Sequence, residues 1–250
     1  MNKNSKIILF KTILIGILYL VFFYIICKYI MNKGFVSLNE INRTNIYQRL
    51  LQDSVIGLSF PIFLLIKYRK HYCKLGFTGK SKILSIILFV IYILFFILRS
   101  DYSVGGLYRA IFYLIMVGLS EEVIFRGYIY LRIKPINRTL AIIISSVIFG
   151  AGHAILPGII ADRSISFIGL DMLNYIGGGI VGGLLFITCM ELSGNILVAI
   201  LIHSLMDYSY GYLGIIVVIG TLGFLILKSK GKEIYNKKRH TSHVCKDVCR

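Results

Sequence analysis

The sequence predicts an all-α protein that crosses a membrane about eight times. Hydrophobic residues make up 57% of the 250 residues and the mean hydropathy is +0.79, so the chain carries more apolar surface than one globular core needs. Apolar runs recur along the chain, each near the roughly 20 residues that a bilayer requires or somewhat shorter. The 28 Lys and Arg lie mostly between and after these runs, so membrane orientation explains the net charge of +17. We therefore expect membrane lipids, and no nucleic acid, as partners.

Eight apolar runs define the predicted helices in chain order. The first, residues 7–30, is too long for the apolar part of a signal peptide and precedes no small-residue cleavage site, so we expect it to remain as a helix. A polar connection, residues 32–53, separates it from a shorter second run, in which Pro61 is expected to disturb the helix. The second to eighth runs are 55–68, 83–98, 107–133, 140–156, 170–192, 196–210 and 213–227.

Glycines cluster in the sixth run. Small residues let two helix backbones approach closely in a membrane, and no strand precedes these glycines, as a phosphate-binding loop would require. The sequence therefore predicts a face for close helix packing, formed by Gly177, Gly178, Gly179, Gly182 and Gly183.

The distribution of positive charge predicts the orientation. Cytoplasmic loops of membrane proteins carry an excess of Lys and Arg. With both termini in the cytoplasm, the inner segments hold 19 Lys and Arg and the outer segments hold 7. We predict a multi-pass protein of the cell membrane with both termini in the cytoplasm.

Three charged residues interrupt the fourth apolar run, which is otherwise almost wholly apolar. They are Glu121, Glu122 and Arg126. Charged side chains within a membrane span are costly, so they usually face the bundle interior or a wet cavity and mark function. Glu122 and Arg126 are four residues apart and share a helix face, where they could neutralise each other, whereas Glu121 points about 100° away and is free to face another neighbour. A structural ion pair and a direct role in the chemistry are both open for Glu122 and Arg126.

Two histidines lie within the apolar runs, and each has a companion one helical turn away. His153 follows Phe149 by four residues, and His203 precedes Asp207 by four. A lone histidine in a membrane span often serves only as a hydrogen-bonding residue between helices. Two histidines together with two carboxylates favour a catalytic or ligating site instead, whereas Phe149 is expected to pack.

These residues form three ordered motifs, Glu-Glu-x-x-x-Arg, Phe-x-x-x-His and His-x-x-x-Asp, on successive apolar runs. They resemble the motifs of the CAAX-protease and bacteriocin-processing family, also called the Abi or type II CAAX prenyl endopeptidase family, whose members are intramembrane proteases. The resemblance covers residues 107 to about 210. It implies a catalytic core of helices 4–8 in residues 107–227, with the chemistry on four helices. The apolar runs and the charge pattern predict helices 1–3 in residues 1–106 and a basic cytoplasmic tail in residues 228–250, and neither carries a motif of the family.

The resemblance also implies roles for the candidate residues. Glu121 and His153 would hold and activate a water, and His203 and Asp207 would face the oxyanion. Members of the family often have Asn in the last position. An ionised Asp donates no hydrogen bond, so that role requires a protonated Asp207; otherwise Asp207 would orient His203 or ligate a metal.

A metal-dependent and a metal-free mechanism both fit these residues. Glu121, His153 and His203, with or without Asp207, could hold zinc with an open position for water. The chain has no His-Glu-x-x-His zinc helix and no Gly-x-Ser-x-Gly nucleophile turn. Five scattered cysteines predict no disulfide framework, and the tail residues His243, Cys245 and Cys249 match no strong zinc pattern.

The function predicted from the sequence is intramembrane hydrolysis of a peptide bond. The substrate would be a membrane-associated or lipid-modified polypeptide, or a leader peptide such as that of a bacteriocin precursor. The alternative is a membrane protein of the same fold that hydrolyses nothing and acts in bacteriocin self-immunity or as a scaffold. A proton-coupled transporter is a third reading, but the two halves of the chain show no inverted repeat.

Overall fold

The protein is all-α in a computed structural model, which describes residues 2–247, and for residues 232–247 the backbone only. Eight helices and no strand occur in the described residues, so the predicted fold class is confirmed. The helices are α1 Lys3–Asn32, α2 Ile46–Lys67, α3 Lys82–Arg99, α4 104–133, α5 Arg138–Ile160, α6 Ile165–Ser193, α7 Ile196–Asp207 and α8 Leu213–Asp247.

Six of these helices are long and apolar enough to cross a membrane: α1, α2, α3, α5, α6 and Leu213–Gly231 of α8. The chain is thus a multi-pass membrane protein. Large apolar side chains such as Phe10, Ile86 and Val181 point outward, as expected where lipid rather than water is the solvent. The other two helices, the 12-residue α7 and the irregular α4, contain most of the predicted site residues.

Helix α2 begins at Ile46, within the segment predicted as a polar connection. Its polar side chains are accommodated because the preceding loop supplies their partners. Gln52 Nε2 donates to the carbonyl of Gly34 over 2.7 Å, and Gln48 Nε2 donates to the same oxygen over 2.9 Å. A π-helical segment, Ser54–Leu58, directly precedes the region of Pro61, which has no N–H to donate to a preceding carbonyl.

Helix α4 alternates between α- and π-helical geometry. Val104–Ile111 is α-helical, Phe112–Leu119 and Glu122–Tyr130 are π-helical, and Leu131–Ile133 is α-helical again. Glu121 lies at the short junction between the two π segments. Because π-helical turns are frequent at functional sites, this irregularity is an independent indication that the region of the charged motif is functional.

Glycines bring α5 and α6 into close contact. A Cβ added to Gly179 would lie 2.7 Å from the backbone nitrogen of Gly150 and 2.8 Å from the carbonyl oxygen of Ser146. Gly183 also faces Ser146. A Cβ added to Gly177 or Gly178 would meet no neighbouring atom within 4 Å. A Cβ at Gly182 would make only ordinary contacts, 3.6 Å from Phe149 and 3.7 Å from Phe186. The close approach therefore depends on the i, i+4 pair Gly179 and Gly183.

Contacts between connections define two ends of the bundle. At one end, Ser81 Oγ donates to the carbonyl of Ser193 over 2.8 Å, and Lys134 Nζ lies 2.6 Å from Glu191 Oε1. We call residues 67–82, 132–138 and 191–196 the basic end. At the other end, Lys28 Nζ lies 3.2 Å from Asp162 Oδ1. We call residues 28–53, 99–109, 161–164 and 208–212 the opposite end.

The last helix begins at Leu213, as predicted, and continues through Lys228 to Asp247, into the residues predicted as a basic tail. The side chains of His243 and Cys245, and Cys249 as a whole, lie outside the described residues.

Candidate active site

Helix α4 buries a carboxylate and a guanidinium against each other. Glu122 is fully buried and Arg126 is 1% exposed, and Arg126 Nη1 lies 3.0 Å from Glu122 Oε1. Neither terminal nitrogen of Arg126 has a hydrogen-bond partner among the described groups, so the contact is an ion pair without hydrogen-bond alignment. The guanidinium carbon also lies 4.1 Å from the centre of the Phe149 ring and 4.9 Å from that of Phe186. Two aromatic faces therefore help to hold the buried cation.

Glu122 also holds His203, which lies on α7. His203 Nδ1 and Glu122 Oε1 are 2.8 Å apart, and the His203 side chain is 4% exposed. Because a carboxylate paired with Arg126 can only accept, Nδ1 of His203 must carry the proton. The ring also stacks on Phe186, with a centroid separation of 4.4 Å and an interplanar angle of 17°. Position, rotation and tautomer of the imidazole are thus all constrained.

The free side of His203 faces two further carboxyl groups. His203 Nε2 lies 3.4 Å from Asp207 Oδ2 and 3.7 Å from Glu121 Oε2. Glu121 Oε2 is buried and has no hydrogen-bond partner among the described protein groups, although the Glu121 side chain as a whole is 25% exposed. Asp207 is 35% exposed. Two carboxyl groups therefore lie within 4 Å of the same imidazole nitrogen.

His153 lies at the carboxyl end of the first part of α5 and is anchored differently. Its Nδ1 is 2.9 Å from the carbonyl oxygen of Phe149. A carbonyl oxygen only accepts, so Nδ1 carries the proton and Nε2 is free to accept a hydrogen bond when the ring is neutral. In the described residues no polar contact joins His153 directly to Glu121 or His203.

Glu121 and His153 both line a cavity of about 260 Å³. A cavity of this volume is large enough to hold water, since about 10–15 Å³ is enough for one molecule. Its other lining residues are mostly apolar and aromatic, and include Tyr19, Phe23, Phe112, Met116, Phe125 and Phe149. His203 and Asp207 do not line it, so Glu121 is the link between the cavity and the His203 cluster.

The structure gives Phe149 a larger part than the packing role predicted from the sequence. Its carbonyl anchors His153, its ring faces Arg126, and its ring also meets those of His153 and His203 edge-on, with centroid separations of 4.5 and 5.9 Å. In the sequence, only the four-residue spacing of Phe149 and His153 indicated that Phe149 lies near the site. Phe186, which stacks on His203, carried no signal, because its apolar surroundings make it resemble any packing residue.

A second buried ion pair was missed because it lies in the predicted connection. Arg49 Nε and Asp53 Oδ2 are 2.6 Å apart, both side chains are at most 5% exposed, and Tyr108 OH donates to the same carboxylate oxygen over 2.8 Å. The Arg49 guanidinium also lies 4.5 Å from the centre of the Phe35 ring. Arg49 and Asp53 both line the cavity that contains Glu121. Their four-residue spacing and opposite charges could have indicated a helix here.

The predicted zinc ligands were tested against this geometry. The separations of His203 Nε2 from Asp207 and Glu121, 3.4 and 3.7 Å, are near the roughly 3.3–3.6 Å expected between two ligands of one tetrahedral zinc with bonds of about 2.0–2.2 Å. However, no group of three or more His, Cys, Asp or Glu side chains in the described part of the chain has the arrangement of a metal site. The residues thus do not form a three-ligand site, and zinc binding by Glu121, His153 and His203 stays a prediction.

Comparison with known proteins identifies the region that holds this geometry. The family described as type II CAAX prenyl endopeptidase Rce1-like matches residues 103–209. These residues form a CAAX-protease domain. It begins just before α4, ends just after α7, and contains all six predicted site residues. No curated protein and no solved structure matches the chain.

The family match confirms the general class of activity. Residues 103–209 form a protease domain of the CAAX type within a multi-pass membrane protein. Within this domain the charged motif lies on the irregular helix α4, His153 lines the cavity, and His203 Nε2 lies 3.7 Å from Glu121 Oε2.

Proposed function

We propose that the CAAX-protease domain is an intramembrane endopeptidase that hydrolyses a peptide bond of a membrane-associated or leader-bearing polypeptide, using a water activated by Glu121 and His153. One observation carries this proposal. Glu121 has an unpartnered carboxylate oxygen 3.7 Å from His203 Nε2, and its side chain lines the same apolar cavity as His153. Peptide hydrolysis requires a base, a group that stabilises the oxyanion, and a shielded space for both.

The first step is attack by water on the carbonyl carbon of the scissile bond. His153 Nε2 accepts one hydrogen bond from the water, because its Nδ1–H is committed to the Phe149 carbonyl. Glu121 accepts a proton from the water as the new C–O bond forms. General-base catalysis of this kind contributes about 10²–10⁴-fold to the rate.

The tetrahedral intermediate carries an oxyanion, and His203 is the donor best placed to stabilise it. A second proton on Nε2 makes the ring an imidazolium that donates from Nδ1 to Glu122 and from Nε2 to the oxyanion. Asp207, 3.4 Å from Nε2, orients that donor when ionised and is a second donor when protonated. Removing one oxyanion donor typically costs about 10²–10³-fold in turnover.

Breakdown of the intermediate completes the reaction. Glu121 returns its proton to the amide nitrogen, the C–N bond breaks, and the products are a new carboxylate and a new amine. Glu122 acts as a positioning residue, since it contacts His203 and Arg126 and not the cavity.

The experiment is a comparison of protein termini in cells. A strain that lacks its own copy of the gene expresses wild type, His153→Ala or His71→Ala, and new protein N-termini are mapped by mass spectrometry. His71 is the matched control, because it is exposed in a surface turn far from the motifs in sequence. New termini are expected with wild type and His71→Ala and not with His153→Ala.

The same proteins, purified, are analysed for bound metal. Termini that persist in His153→Ala contradict the assignment of water activation. Absence of new termini with wild type favours a self-immunity or scaffold function instead. About one zinc per chain in wild type and His71→Ala, lost in His153→Ala, would replace unaided water activation with a metal-bound water.

A further inference from the structure

The two ends of the bundle differ in charge. The basic end has nine Lys and Arg and a single acid, Glu191, whereas the opposite end has seven Lys and Arg and four acids. Four of the cations at the opposite end form ion pairs: Lys28 with Asp162, Arg49 with Asp53, Arg109 with Asp101 and Arg163 with Asp171. Lys3 and Lys6 also belong with the basic end, because α1 reaches the opposite end at Lys28. By the positive-inside rule the basic end lies in the cytoplasm.

The cavity lies in the half of the bundle away from that end. Its wall includes Phe35 from the connection after α1, Arg49 and Asp53 from the start of α2, and Phe112 from the first half of α4. Pro157, in the short final part of α5, is an exposed member of the wall. None of the residues of the basic end lines the cavity.

Glu121 and His153 are accessible from the half of the bundle that contains the opposite end. Glu121 and His153 both line the cavity, and His153 is exposed rather than enclosed. Beyond Glu121, towards the basic end, the π-helical segment Glu122–Tyr130 is buried at every residue. A polypeptide approaching from the basic end would have to pass this packed segment.

We propose that the substrate enters from the extracytoplasmic face of the membrane, through the half of the bundle formed by the opposite end. The substrate class is therefore a secreted or surface-exposed polypeptide, whose extended segment passes the Arg49–Asp53 pair and places apolar side chains in the cavity. A polypeptide confined to the cytoplasm does not meet this entrance. The statement about cleavage rests on the proposed function, whereas the statement about access does not.

Cysteine labelling tests the access directly. The parent protein carries Cys245→Ser and Cys249→Ser and keeps Cys27 and Cys189, which are buried, and Cys73, which is exposed at the basic end. Two variants of this parent add a cysteine: Pro157→Cys in the cavity wall, and Asn39→Cys on the exposed connection at the opposite end. Intact cells are treated with a sulfonated maleimide, which does not cross the membrane, before and after permeabilisation.

We expect the reagent to label Asn39→Cys and Pro157→Cys in intact cells and to label Cys73 only after permeabilisation. Labelling of Cys73 in intact cells would overturn the orientation. Labelling of Asn39→Cys without Pro157→Cys in intact cells would overturn access to the cavity from that face. Because labelling requires no cleavage, these outcomes are independent of whether the chain is a protease.

The mapped termini supply a second, separate test of the substrate class. If the proposed function holds, the new N-termini should lie in secreted proteins or in the extracytoplasmic parts of membrane proteins. New termini confined to cytoplasmic segments would overturn the substrate class while leaving the protease assignment intact.

Discussion

Replacement of Gly179 by alanine should separate α5 from α6 and so disturb the position of His153. A Cβ at this position meets the Cα and nitrogen of Gly150 and the carbonyl oxygen of Ser146, all of which are backbone atoms that have no rotamer to change. Overpacking of this kind typically costs about 1–3 kcal/mol. Gly178→Ala is the matched control, because an added Cβ there meets nothing within 4 Å.

Both substitutions gain the same intrinsic helix propensity, about 1 kcal/mol at most, so the difference between the two variants isolates the clash. Gly179→Ala should be less stable than Gly178→Ala by about 1–3 kcal/mol, or about 5- to 140-fold in the folding equilibrium. The assay is reversible unfolding in mixed detergent micelles. Equal stability of the two variants would refute the close contact between α5 and α6.

Three further predictions concern buried polar contacts. Glu122→Gln leaves Arg126 buried without its anion, so thermal unfolding should show a loss of about 3–5 kcal/mol. Asp207→Asn should keep turnover within about tenfold, because a carboxamide both accepts and donates hydrogen bonds; this is measured as cleavage rate. Tyr108→Phe removes a hydrogen bond to the Asp53 carboxylate, so chemical unfolding should show a loss of about 1.5–3 kcal/mol.

Each of these predictions has a result that would contradict it. Unchanged stability of Glu122→Gln would mean that Arg126 is held by its aromatic neighbours alone. Complete loss of cleavage in Asp207→Asn, with folding intact, would show that catalysis requires the negative charge of Asp207. Tyr102→Phe is the control for Tyr108→Phe, because the exposed Tyr102 hydroxyl donates to the backbone carbonyl of Ile97.

The parts of the site that the sequence predicted are those that depend on helical spacing. Glu122 and Arg126, and His203 and Asp207, are four residues apart on one helix, and each pair is in contact. Such contacts follow from local geometry, since residues at this spacing share a face whichever neighbours surround them.

The contacts between helices could not be read in the same way. Glu122 and His203 are 81 residues apart, and their contact depends on the rotation of α4 and α7 about their own axes. The π-helical segments of α4 alter that rotation, and no residue in the apolar run signals them. The role of Glu122 in holding His203 therefore came from the structure alone.

The start of α2 shows a different limit. Four of the eight residues in 46–53 are polar or charged, and such a segment between two apolar runs indicates a loop. The segment is helical because Gln48 and Gln52 bind the loop at Gly34, while Arg49 and Asp53 neutralise each other. These partners lie more than ten residues away or within the helix itself, so the composition of the segment gave the opposite prediction.

The measurement that tests the central claim most directly is the cleavage rate of purified Glu121→Gln beside wild type. The substrate is a peptide that spans a junction identified by the mapped termini, with the protein reconstituted in liposomes. Glutamine keeps the shape of Glu121 but cannot take a proton from water, so we predict a loss of at least about 10²-fold with unchanged thermal unfolding. A rate within about threefold of wild type would contradict water activation by Glu121.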